Sequence, residues 1–114
     1  MYIDSYSFGN ISINGKTYRH DVIIFPERVQ SGWWRAEGHL LAVEDLKEVF
    51  EYLPEVLIVG TGASGNMEVP KSTRKYISER EIDLIVCPTE NARERFNQLI
   101  SEGRKVVGAF HLTC

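Results

Sequence analysis

The run Gly60-Thr61-Gly62-Ala63-Ser64-Gly65 follows the apolar stretch Val56-Leu57-Ile58-Val59 and reproduces the G-x-G-x-x-G spacing of a dinucleotide cradle. In that cradle the glycines let backbone approach a pyrophosphate, and a helix that starts within the fingerprint aims its free N–H groups at the charge. Pro70 would fall inside such a helix, where it removes a hydrogen bond and clashes with the preceding turn. The acid that should hold a ribose at the end of the second strand is also misplaced. Glu79, Glu81 and Asp83 precede or open that strand, and its far end is Cys87-Pro88. No dinucleotide or other cofactor is therefore expected. A looser chemistry survives, in which turn amides line a small-anion site with the Thr61 and Ser64 hydroxyls, and Lys71, Arg74 and Lys75 follow on a helix. In open α/β sheets ligands sit beyond the carboxyl ends of the parallel strands, where this loop, Thr89 and the residues after Leu112 should gather. The candidate ligand-binding set is Gly60, Thr61, Gly62, Ser64, Thr89, Arg104 and His111. The competing reading is that the glycines only permit a tight strand-to-helix crossover.

His111 and Cys114 form an H-x-x-C ending, but a zinc site needs about four ligands and no second spaced pair exists. His20 and His39 are isolated in sequence, so no metal site is proposed and no catalytic residue is assigned. A G-x-S-x-G nucleophile elbow is also absent. Trp33 and Trp34 are adjacent, so in extended backbone they point to opposite faces. One can enter the core; the other is a candidate anchor for a protein partner, because tryptophan is enriched at interface hot spots. Covering the edge of its own sheet is the alternative.

These residues must be held by a fold that the patterning outlines. The first third alternates and turns often: Tyr2 to Phe8, Ile11 to Ile13, an Asn14-Gly15 step, then Val22 to Phe25 closed by Pro26. Asn-Gly between β-prone runs is a strong hairpin signal, which predicts antiparallel strands here. Gly32 to Arg35 is expected to continue extended, before a helix with Val43, Leu46, Val49, Phe50 and Leu53 on one face that Pro54 ends. Beyond it the rhythm becomes strand, helix, strand, helix, strand. Val56 to Val59 is a buried strand, Pro70 opens a helix ending near Glu79, and Ile82 to Cys87 is the next strand. Thr89 is the expected N-cap of a helix with Ala92, Phe96, Leu99 and Ile100 inward and Gly103 past its end. Lys105 to Leu112 is the last strand. Alternating strands and helices imply right-handed parallel crossovers, so the expected fold is a single α/β domain over residues 1–114. A parallel sheet forms its C-terminal half, and the N-terminal hairpins add to it.

Composition narrows the partners. The 114 residues carry 13 Lys and Arg against 16 Asp and Glu, a net charge of -3, which offers no basic surface for nucleic acid. The apolar runs are too short to span a bilayer. Two cysteines, Cys87 and Cys114, make no disulfide framework and suit a reducing compartment. The opening Met1 to Tyr6 has neither the basic and apolar regions of a secretory signal nor an Arg-rich transit character. A cytoplasmic protein is expected, as a monomer or small homo-oligomer.

Taken together, Gly32-Trp33-Trp34-Arg35, Gly60-Thr61-Gly62, Pro70, Thr89, Ala92, Phe96-Asn97, Glu102-Gly103-Arg104 and Gly108 to Cys114 give the chain a family likeness. With the Ile3 to Phe8 opening, the chain resembles the domain of unknown function 498 family, over essentially its whole length. The resemblance implies a three-layer α/β fold with a central mixed, mostly parallel sheet flanked by helices. It carries over no catalytic residues. A mitochondrial relative in that family works by binding partner proteins during the assembly of a respiratory complex. The reading is thus a non-catalytic binding or assembly factor acting through protein contacts. The alternative is an enzyme or sensor binding a small anion or phosphate at Gly60 to Gly65.

Overall fold

The computed structural model describes residues 1–114. Strands β1 (Ile3–Ser7), β2 (Asn10–Ile13) and β3 (Lys16–Tyr18) form an antiparallel sheet of their own. Its tight turns include Asn14-Gly15, both at positive φ as the hairpin step requires. Strands β4 (Val22–Ile24) and β5 (Val29–Ser31) form a second hairpin. A 3₁₀ turn (Val43–Leu46) runs into α1 (Lys47–Tyr52), and then β6 (Val56–Thr61), α2 (Lys71–Glu79), β7 (Asp83–Cys87), α3 (Thr89–Ser101) and β8 (Val106–His111) alternate. The main sheet is mixed, in the order β5-β4-β8-β6-β7, with β8 and β7 parallel to β6 and β4 antiparallel to β8.

Period-two alternation distributes the central strands between two cores. Val56, Ile58, Val106, Phe110, Val22 and Ile24 face α3 and the three-stranded sheet, packing on Ala92, Phe96, Ile3, Ile11 and Ile13. Leu57, Val59, Val107, Ala109 and Ile23 face the other way, onto Trp33, Leu46, Val49, Met67 and Ile77. Both faces of β6 and β8 are covered, which is why these strands read as unbroken apolar runs. Gly108 in β8 is a packing requirement, since a Cβ there would stand 3.0 Å from the Phe96 ring.

Several local expectations need correction. Only the β4–β5 hairpin adds to the main sheet; β1 to β3 form the separate layer beside α3. The Gly32 to Arg35 segment leaves β5 as irregular backbone. Leu53 is exposed and left-handed just past α1, so it belongs to the helix stop and not to its inner face. Pro70 stands just ahead of α2, and the chain from Gly62 to Val69 is not helical. Pro88 occupies the cap position of α3, and Thr89 is the first helical residue without a capping bond. Its hydroxyl is engaged elsewhere, as described next.

Candidate functional site

The carboxyl ends of β6 and β8 bring the predicted loop, Thr89 and the last residues of the chain together. Thr61 is in register with His111 across the two strands. The buried Thr89 hydroxyl donates to the His111 carbonyl at 2.6 Å and accepts from the Gly62 amide at 2.9 Å. The Ala63 amide donates to the Thr113 carbonyl and the Asn66 amide to the Cys114 backbone oxygen, at 2.7 and 3.0 Å. The Gly65 and Met67 amides turn back to the Gly62 and Thr61 carbonyls. Gly62 has φ +105, and a Cβ on it would lie 2.6 Å from the Thr113 carbonyl oxygen. The loop therefore clasps the chain's own C-terminal segment, and these amides are occupied by backbone oxygens. Ser64 is exposed beside it, on an open groove that Arg74 also borders.

Arg104 does not join this group. It lies before β8, at the amino ends of the parallel strands, and it pairs with Glu55 and Asp83 there. A residue that enters a strand cannot share an end with one that leaves its parallel neighbour.

The polar centre of the molecule is built instead on the far side of His111. Alternation along β8 puts His111 on the face of Val107 and Ala109, and the antiparallel pairing Val22↔Phe110 sets Asp21 next to it. Asp21 Oδ2 lies 2.8 Å from His111 Nδ1 and 2.8 Å from Arg35 Nη2, while Oδ1 accepts from the Leu112 amide at 2.8 Å. Burial raises the Asp21 pKa, but hydrogen bonds from His111, the Leu112 amide and Arg35 outweigh it, so the carboxyl is held below its ordinary value. Arg35 is clamped by further contacts. Its Nε and Nη2 donate to the Gly38 carbonyl, and its guanidinium lies 4.7 Å from the Trp33 ring. Trp33 is buried, with its indole N–H donating to the Asp45 carbonyl.

The carboxylate can only accept, so the network assigns the proton on Nδ1 of His111 to the bond with Asp21. Nε2 is left without a hydrogen-bond partner in the chain, as is Arg35 Nη1, although the two side chains are only 6% and 4% exposed. Both residues line a cavity of about 360 Å³ that Arg19, His20, Trp34 and His39 also border. The three histidines, isolated in sequence, thus converge on one pocket, with the His39 and His111 rings edge to face at 5.5 Å. They form no metal-binding cluster with acids or cysteines. Trp34 stands 81% exposed at the same cavity, while Trp33 is 4% exposed, the opposite orientation expected of adjacent residues.

Of the sequence candidates, Gly60, Thr61, Gly62, Thr89 and His111 are brought together, Ser64 lies at their margin, and Arg104 lies at the opposite end. Sequence reasoning missed Asp21, Arg35 and His39. Arg35 carried the one available signal, an arginine beside two tryptophans. Asp21 gave none, because its partner is 90 residues away.

The profile of the family described as "Protein of unknown function (DUF498/DUF598)" matches residues 3–111. NADH dehydrogenase [ubiquinone] 1 alpha subcomplex assembly factor 3 from Homo sapiens is 33% identical over 112 residues, which cover 96% of this chain and 59% of that protein. The chain thus spans about three fifths of that relative's length. Among solved structures, the conserved hypothetical protein PH1505 from Pyrococcus horikoshii is 26% identical, with a TM-score of 0.85 over 100% of both chains. MT938 is 27% identical, with a TM-score of 0.81 over 99% of this chain and 98% of its own. By the match over residues 3–111, the chain belongs to the DUF498/DUF598 family of proteins of unknown function.

Proposed function

We propose that this chain is a non-catalytic assembly factor that binds a protein partner through the surface around Trp34. The observation that carries the reading is the contrast within one dipeptide. Trp33 is locked into the core, and Trp34 is 81% exposed on the segment it anchors. A large aromatic side chain in water on an anchored backbone loses little freedom on binding, which is the character of an interface hot spot. The relative named as an assembly factor, matched over 96% of this chain, supports the same class of role. A reducing, cytoplasmic setting is part of the proposal, motivated by Cys87 and Cys114, both free thiols. No helix is long and apolar enough to cross a membrane.

The test is affinity capture from the native lysate with wild type and Trp34→Ala. A stoichiometric protein should co-purify with wild type. The variant should keep the wild-type melting temperature and bind that protein about 30-fold more weakly, the loss of a hot spot of about 2 kcal/mol. Absence of any stoichiometric protein, or equal capture by the variant, refutes the reading.

A further inference from the structure

We propose that the cavity beside Trp34 is an oxyanion site, in which a carboxylate or phosphate group is held by Arg35 Nη1 and His111 Nε2. Both atoms belong to side chains more than nine-tenths buried, and both lack a hydrogen-bond partner in the chain. Buried polar groups are almost always paired in native proteins, so two orphans on residues lining one cavity call for an occupant.

The charges select its sign. Arg19 and Arg35 border the cavity with three histidines, and the carboxylate among them, Asp21, is consumed by the Leu112 amide, Arg35 and His111. A cation would meet the guanidinium, whose Nη2 is 3.0 Å from His111 Nδ1, and would be repelled. An anion meets an arginine that Asp21, Gly38 and Trp33 have already oriented, so little ordering is required on binding. The proton count also fits. With Nδ1–H turned to Asp21, a singly protonated phosphate can accept from Nη1–H and donate to the free nitrogen of His111. A fully ionised carboxylate, which only accepts, is met by Nη1–H. The volume of about 360 Å³ lies at the small end of ligand pockets, enough for one such group and a short substituent.

His39 borders the same cavity: its exposed side chain stands edge to face on His111, and its backbone carbonyl accepts from the Glu68 amide. This places anion chemistry away from the glycine loop, whose amides are engaged with Thr113 and Cys114. The inference does not rest on the assembly reading: a protein partner without an anion, or an anion without a protein partner, are separate results.

Histidine side-chain ¹⁵N resonances of the purified chain should be followed during titration with inorganic phosphate and, separately, acetate, against chloride at matched ionic strength. A saturable shift of His111 Nε2 with either oxyanion and not with chloride is expected, and the stronger ligand identifies phosphate or carboxylate chemistry. Arg35→Lys keeps a charge facing Asp21 but lacks Nη1, and should weaken binding at least about tenfold. Should that variant not fold, the wild-type titration decides alone. The proposal fails if neither oxyanion shifts Nε2 saturably. It fails equally if a crystal grown in saturating phosphate shows only a water bridging the two atoms.

Discussion

Asp21 does three jobs with two oxygens: it holds the Leu112 amide at the end of the sheet, orients His111, and neutralises Arg35 in a nearly dry setting. Removing one partner of such a cluster leaves the others buried and uncompensated, which costs far more than the pair contributes. The carboxyl is held below its ordinary pKa, so the folded protein binds fewer protons here than the unfolded chain. The stability it contributes is complete above the unfolded carboxylate value of about 4 and is lost as pH falls through the lower folded value. Urea titrations from neutral pH down to about pH 2 should show wild type losing stability below about pH 4. Asp21→Asn should start less stable and lack that part of the slope. Equal slopes would mean that the fold does not lower the Asp21 pKa. Little of this cluster was legible in the sequence. That only one of the adjacent Trp33 and Trp34 enters the core was readable, though not the irregular backbone that achieves it, whereas Asp21 and His111 meet only through the β4–β8 pairing, which no local pattern encodes.

At the scale of elements, the segment between β6 and α2 shows how one motif can resemble a cradle and serve as a clasp. Pro70 delays the helix, the loop turns at Gly62, and its amides close on Thr113 and Cys114. Gly62→Ala combines a φ of +105 with a Cβ placed within 2.8 Å of three backbone atoms, none of which can swing aside. It should lower stability by about 2 kcal/mol or more, read as a shifted urea midpoint at unchanged m-value. A neutral result would show the C-terminal segment to be loosely held. The alternation of strands and helices after Pro54 was legible because each segment has its own period and punctuation. Thr89 was misread as a cap for a physical reason: its hydroxyl prefers two buried backbone partners to the exposed amides of the α3 start. The detached β1–β3 sheet was illegible too, since a hairpin signal specifies pairing between neighbours and not the layer they join.

On the scale of the whole molecule, the chain carries a net charge of -3, yet its cavity gathers two arginines and three histidines around one satisfied carboxylate. Composition alone therefore argued against a basic surface for nucleic acid without reporting on a single pocket. The two-core, three-layer plan rests on β8, which bonds β4 on one side and β6 on the other and sends side chains into both cores. Deleting residues 105–114 should abolish the cooperative thermal transition, whereas single exposed-site variants such as Trp34→Ala should leave it in place. A truncated chain that still melts cooperatively would show that the two layers fold without their common strand.

That strand is also the last of the sheet to be made. While a ribosome is still adding α3, β4 and β6 have been synthesised with nothing to bond between them, and their facing edges stay unpaired. Neither side of the main sheet is closed until that strand docks, so both cores wait for β8.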